Sequence, residues 1–191
     1  MDEKTYEAYV GNLVGIFYDV RDSYPYGVSR NLEGPPYDCE DKCKKFIECV
    51  KGLNEEKGID IGVRPGYCMS KYSLVFPREI VKDMSKDDVG HYYPEIYVPE
   101  RGLWVPVDAT FDIGLKGKYP GIVVNDWNGY ADTVRVFPPT KIYTPKRSLK
   151  EFEEVTTEED YAKLWKKDGK GYNALNQYLE KLRQMPIQLF G

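Results

Sequence analysis

The chain predicts an α+β fold, with helices at both ends and a mainly antiparallel sheet between them. Three observations carry this. Apolar residues recur at helical spacing on either side of an early Pro- and Gly-rich stretch, short β-branched and aromatic runs with a period near two follow Gly58, and helical spacing returns after Arg147. The 191 residues, 41% apolar and 30% charged, suffice for a hydrophobic core that needs no disulfide or metal staple, so 1–191 is read as a single domain.

In chain order, apolar Tyr6, Tyr9, Val10, Leu13, Val14 and Phe17 predict an amphipathic helix over 5–22 with Thr5 as its N-cap. Pro25, Gly27, Gly34, Pro35 and Pro36 make the next stretch irregular. A second helix starts at Asp38, carries Cys43, Phe46, Ile47, Val50 and Leu53 on one stripe, and stops at Gly58. Strands are expected over 59–63, 73–76, 92–98, 103–107 and 133–137. The short loop from Pro99 to Gly102 predicts a hairpin between the third and fourth of these. Residues 119–130 read as a surface excursion and 141–147 as a connector. Two helices should follow. One covers about 157–167, with Thr156 and Glu159 spaced as a capping box, and the other carries Leu175, Tyr178, Leu179 and Leu182 and ends before Pro186.

Composition narrows the functions. A formal charge of −4 without a long basic run argues against nucleic acid and acidic membrane surfaces as partners. No apolar stretch approaches the ~20 residues of a membrane span, and the amino terminus shows no apolar signal region, so a cytoplasmic chain is expected. The four cysteines are too few for a disulfide scaffold and are read as thiols. There is one histidine, His91, so any mechanism that needs imidazole must use it. A zinc site is disfavoured: Cys39 and Cys43 lie one turn apart, but Cys49 is about 240° round the helix from Cys43, and no CxxC pair exists. No metal or cofactor is expected.

Three stretches carry chemistry. The first is Asp38, Cys39, Glu40, Asp41, Lys42, where Cys39 falls in the first turn of a helix. Unpaired N–H groups and the positive end of the dipole favour thiolate there, so a lowered thiol pKa is expected, although the flanking carboxylates oppose it. The second is His91 on a strand, and the third is Trp104 to Asp108 on the strand after it. The hairpin pairs Val98 with Leu103; continued, that register sets Asp108 opposite Tyr93 and His91 opposite Thr110. His91 and Asp108 are then diagonal neighbours on one face, roughly 7–8 Å apart between backbones, and their side chains can meet. Glu95 shares the face and is the alternative orienting carboxylate. Cys43 belongs to the apolar stripe and is expected to be core.

Taken together, Asp38-Cys39-Glu40-Asp41-Lys42, His91 with Glu95 and Tyr97, and Trp104-Val105-Pro106-Val107-Asp108-Ala109-Thr110 resemble the transglutaminase-like superfamily of papain-like cysteine enzymes, archaeal or bacterial type. The resemblance spans about 25–137, leaving an N-terminal helix and a C-terminal helical appendage over about 148–185 outside it. It implies a papain-like core with the nucleophile at a helix N-terminus packed on the sheet. It also implies acyl transfer through a thioester, with Cys39 as nucleophile, His91 as base and acid, and Asp108 orienting the imidazole. The substrate implied is an amide, isopeptide or peptide bond in a protein or peptide, with hydrolysis preferred to cross-linking. The chain departs from the family motifs at Cys43, where Ala is usual, at Tyr92 and Tyr93, where Trp is common, and at Ala109, where Pro is usual. An oxyanion hole needs a second donor beside the Cys39 N–H, and Asn31, Tyr26 and Tyr37 are the candidates. Tyr92, Tyr93 and Glu95 are the candidate substrate contacts. The alternative is a non-catalytic module that uses the tyrosine-lined cleft for a peptide or glycan.

Overall fold

The computed structural model describes residues 1–29, 34–153 and 157–186. The elements are α1 (Glu3–Ser23), α2 (Cys39–Lys57), β1 (Val63–Lys71), α3 (Arg78–Val81), β2 (Asp88–Val98), β3 (Leu103–Pro106), β4 (Lys141–Ile142), α4 (Pro145–Glu153) and α5 (Glu158–Gln184). The fold is α+β. Its strands form one curled sheet in the order β3-β2-β1-β4, and every pairing is antiparallel.

The first two helices follow the sequence closely. In α1 the cap is Asp2, whose carboxylate accepts the Thr5 N–H at 2.8 Å, so Thr5 sits inside the helix instead of capping it. In α2 the Asp38 carboxylate accepts from Glu40 and Asp41, and the Asp41 carboxylate returns a bond to the Asp38 N–H, a reciprocal capping box. Gly58 ends α2 in the left-handed conformation, φ 63°, which a side chain would strain. The buried stripe of α2 runs Cys39, Lys42, Cys43, Phe46, Ile47, Val50, Leu53.

The hairpin register matches the expectation: Val98 pairs with Leu103, Tyr97 with Trp104, Ile96 with Val105 and Glu95 with Pro106. There the ladder stops. Pro94 has no N–H to offer the continuing chain, and a single bond, Val107 N–H to Pro94 O at 2.8 Å, marks the end of pairing. The pairings expected at Tyr93 and at His91 do not form.

Several other expectations fail for identifiable reasons. The strand expected over 59–63 starts at Val63 and runs on to Lys71, through Pro65, which reads as a breaker. Pro65 lies opposite Pro94. Because the Pro94 carbonyl points toward β3, this is a pair that exchanges no hydrogen bonds between β1 and β2, and neither proline needs an N–H there. Gly66 admits the ring of Tyr93, which would overlap a Cβ at 2.3 Å. Residues 73–76 form no strand: 72–74 are a 3-10 turn, with the Ser73 N–H and hydroxyl both bonded to Asp87. The supposed surface excursion buries Ile122, Asn125 and Trp127. The expected connector contains β4 and the start of α4. The two C-terminal helices are one, α5, in which Gly169 and Gly171 are buried in the middle. Its cap is Thr157 with Asp160; Thr156, expected in that role, lies outside the described residues.

Two cores flank the curled sheet. One packs Leu13 and Phe17 of α1 and Phe46 and Val50 of α2 on Ile96, Val98 and Val105. The other gathers Tyr26, Tyr72, Phe76, Phe111 and Phe137 against Leu175, Leu179 and Leu182 of α5. Early in β2 the buried side chains are His91 and Tyr93, and past Pro94 they are Ile96 and Val98, so opposite faces of the strand are covered at its two ends. The C-terminal helix is therefore part of the core. Arg183 fixes it further, with Nη2 on Asp112 at 2.6 Å and on Tyr26 O at 2.7 Å. Among the described residues no helix is long and apolar enough to cross a membrane.

Candidate functional site

The site forms where β3 parts from β2. Because Pro94 O points toward β3, so do the Tyr92 N–H and the Gly90 carbonyl two and four residues earlier, and past the end of the ladder no strand among the described residues covers them. The first turn of α2 fills that gap. Cys39 Sγ lies 3.9 Å from Gly90 O, and the Tyr92 N–H is directed at the sulfur. The thiol thus sits against the main chain on both sides of His91.

His91 and Asp108 are brought together. Nε2 lies 2.7 Å from Asp108 Oδ2, with neither side chain accessible to solvent. An ionised carboxylate only accepts, so Nε2 carries the proton and Nδ1 is the basic nitrogen. Among the described residues the buried Nδ1 has no hydrogen-bond partner, and a buried polar atom left unpaired requires a reason. The imidazole is held flat by Phe137, at 4.9 Å between ring centroids, and by Tyr93 at 5.8 Å.

The support of Asp108 was not legible in the sequence. Val136 N–H donates to Oδ2 at 3.0 Å and Thr110 N–H to Oδ1 at 3.1 Å. Thr133 Oγ1 accepts the Asp108 N–H at 2.7 Å, and Asn125 Nδ2 holds its carbonyl at 2.9 Å. Residues 133–137, expected as a strand, form none: 133–135 lack regular structure, 136–137 lie in a bend, and Val136 N–H is used on this carboxylate instead of on a sheet. Their β-type composition suggested a strand and gave no sign of this partner.

Electrostatics separate the acids. Burial acts to raise the Asp108 pKa, but His91, the Thr110 bond and the Val136 N–H more than offset it, and the carboxyl is held below its ordinary value. Asp38, half-buried, is pushed up to about 7 by burial and by Asp41 and Glu40, against two backbone N–H bonds. The Cys39 thiol is pushed well above its usual range, first by burial and then by Asp38; the Tyr92 N–H is the main opposing influence. The expected lowering of the thiol pKa is therefore reversed. A helix N-terminus contributes only a fraction of a charge, and burial beside three carboxylates outweighs it.

The remaining candidates divide. Tyr26 is buried against Phe111, 4.9 Å between centroids, and close enough to Cys39 for the two to raise each other's charging cost. Tyr72, not singled out from the sequence, stands beside it and is likewise coupled to Cys39. Tyr37 shares a backbone bridge with Tyr26, but its ring packs edge-on against Tyr24 at 5.0 Å. Asn31 lies outside the described residues. Tyr92 and Tyr93 alternate to opposite faces. Tyr93 is sealed beneath Arg135, whereas Tyr92 joins Tyr67, at 4.6 Å, and Phe152 of α4, at 5.8 Å. Glu95 is engaged by Arg64 at 2.7 Å, which removes it as the partner of His91. Cys43 is buried on the stripe, as expected. Tyr161 of α5 faces Asp38, Asp41 and Cys39, Phe152 of α4 packs beside Tyr92 and Lys44, and Cys39 is only 9% exposed. Among the described residues no three His, Cys, Asp or Glu side chains are grouped to hold a metal ion.

Comparison of the chain with protein-family models, curated proteins and solved structures finds no match.

Proposed function

We propose that the chain is a transglutaminase-like cysteine hydrolase or acyltransferase with a papain-like core, acting on an amide, isopeptide or peptide bond through Cys39, His91 and Asp108. The observation that carries the reading is the fully buried 2.7 Å contact of His91 Nε2 with Asp108, which leaves Nδ1 unpartnered beside the strand segment that the Cys39 thiol touches. The raised thiol pKa makes the resting nucleophile a neutral thiol, so deprotonation belongs to the attack itself. His91 Nδ1 takes the Cys39 proton as sulfur bonds to the carbonyl carbon, then returns it to the leaving nitrogen as the C–N bond breaks and a thioester remains. Water, deprotonated by the same nitrogen, adds to the thioester and releases the carboxylate, and the proton goes back to the sulfur. Asp108 keeps the tautomer and stabilises the transient imidazolium. The Cys39 N–H and the phenol of Tyr26 are the donors for the developing oxyanion.

One observation favours a second reading, a non-catalytic module that binds a peptide or glycan: the thiol is protonated and nearly covered, beside the aromatic row of Tyr67, Tyr92 and Tyr143. A profile of peptide, isopeptide and ester substrates, with Cys39→Ala as control, separates the two. Turnover lost in Cys39→Ala supports the enzyme; turnover retained in that variant, or none in the wild-type chain, removes it.

A further inference from the structure

Lys42 is a buried lysine that the proposed chemistry does not use. It follows Cys39 on the inward stripe of α2, is 2% exposed, and donates from Nζ to two main-chain oxygens, Thr110 O at 2.8 Å and Arg21 O at 3.0 Å. Among the described residues no carboxylate forms an ion pair with it. An ammonium group this deep ordinarily pairs with an anion or gives up its proton. Burial draws its pKa down to about 7, against the raising influence of Asp112 and Asp108 from the segment after β3 and of Asp22 from α1, with Arg183 of α5 adding repulsion. Among the described residues the other buried lysine or arginine is Arg21, which is engaged by Asp22, Asp126 and Asn125 O.

What Lys42 grips explains its position. The residue whose carbonyl it holds, Thr110, donates its N–H to Asp108 Oδ1, and Asp108 Oδ2 receives His91 Nε2. From His91 the chain passes to Gly90, whose carbonyl meets Cys39 Sγ, and Cys39 begins the helix that carries Lys42. The contacts form a closed ring: Lys42, Thr110, Asp108, His91, Gly90, Cys39. Each other link lies between groups that the chemistry or the strand already requires. Among the hydrogen bonds of the described residues, the Lys42 link is the one that ties the nucleophile's helix to the turn that bears the orienting carboxylate. Packing needs at this site are apolar, since Cys43, Phe46 and Ile47 fill the rest of the stripe.

We propose that Lys42 is a positioning residue of this site: its amine sets the helix of Cys39 against the turn of Asp108 and, when protonated, places a positive charge in the field of the His91–Asp108 pair. This deepens the Cys39–His91–Asp108 reading and rests on it. The test compares wild type with Lys42→Met, which fills the volume without donors or charge, and with Lys42→Gln, which keeps a donor without charge. Acylation of Cys39 by p-nitrophenyl acetate is followed by intact mass across the pH range, together with the imidazole resonance of His91, the one histidine. Lys42→Met should acylate at least tenfold more slowly at unchanged apparent KM. The acid limb of its pH–rate profile should move to higher pH, because loss of a nearby positive charge makes imidazole easier to protonate, and the His91 resonance should shift. Lys42→Gln should recover part of the rate but keep the displaced limb. A Lys42→Met protein that melts lower yet keeps the wild-type rate, limb and resonance overturns the proposal and leaves Lys42 a structural residue. If Lys42→Met does not fold, Lys42→Gln decides on the same limb and resonance. Wild type that acylates Cys39 while the variants are unaltered refutes only the positioning role; wild type that does not acylate Cys39 removes the reactive set and the positioning role with it.

Discussion

The start of α2 holds a half-buried aspartate and the turn after β3 a fully buried one, and the two respond in opposite directions. Asp38 is pushed up to about 7, whereas Asp108 is held below its ordinary value. Asp108 takes a third bond from His91 Nε2, but both accept two backbone N–H bonds, so main-chain donors do not separate them. Neighbouring charge does. Asp108 faces His91, with the Lys42 ammonium close behind, while Asp38 shares its turn with Glu40 and Asp41. Burial raises any carboxyl; what shares the pocket decides whether the anion survives. The anion is kept where it must hold an imidazole, and strained where it caps a helix beneath a thiol.

Removing Asp108 should have the largest effect. Asp108→Ala leaves His91 Nε2–H and the Val136 and Thr110 N–H groups buried without an acceptor, so we expect a loss of about 3–5 kcal/mol in denaturant unfolding together with loss of acyl transfer. A variant that melts like wild type would show that the pocket tolerates an empty acceptor site. Asp108→Asn should be milder. One amide oxygen cannot serve all three donors, and its NH2 opposes one of them, so about 1–3 kcal/mol of stability and ~10²–10⁴-fold in kcat should be lost, less than the complete loss in Cys39→Ala. Equal kcat in Asp108→Asn and wild type would remove the carboxylate from the mechanism.

The two aspartates should also part company in pH. Stability from ionised Asp108 is fully present above the ordinary value of 3.8 and is lost as pH falls through its lower value in the fold. Asp38 has the opposite sign: its contribution is fully present below 3.8 and is lost as pH rises through about 7. Asp38→Asn keeps a good N-cap and drops the charge, so it should match wild type in acid and exceed it by about 1 kcal/mol or more above neutrality. Alkylation of Cys39 should also speed up several-fold, since the second cause of the raised thiol pKa is gone. Thermal melts across pH check the first point, and a variant less stable at every pH sinks it. The smallest effect is expected at Phe152→Ala, which uncovers Tyr92 at the edge of α4. Labelling of Cys39 should rise about two- to fivefold with a stability loss near 1 kcal/mol; unchanged labelling would place the cover elsewhere, at Tyr161.

The same contrast marks what the sequence disclosed. The α2 start was legible because Asp38, Asp41 and Gly58 act through local backbone geometry, and the hairpin because Val98 to Leu103 leaves one sensible register. That register brought His91 to Asp108 even though the ladder ends at Pro106. Long-range partners were not legible. Nothing local indicates that Val136 donates to a carboxylate on another segment, that Asn125 turns inward, or that Pro65 falls opposite Pro94 where no N–H is needed. The thiol was misjudged for the same reason: the helix terminus is a local feature, whereas burial is a property of the assembled fold. The two helices expected at the C-terminus are one, and Gly171 within it packs against Met84, a contact with a distant segment that no local reading shows.

The central claim, that His91 activates Cys39 for attack on an acyl carbon, is tested most directly by trapping the acyl enzyme. Wild type, Cys39→Ala and His91→Ala are mixed with an activated ester, quenched, and mapped by mass at each of the four cysteines. The account predicts one hydroxylamine-labile adduct on Cys39, absent in Cys39→Ala and at least ~10²-fold slower in His91→Ala, while the half-exposed Cys49 reacts alike in all three. An adduct that forms on Cys39 at the same rate without His91, or that forms on Cys49 alone, would contradict it.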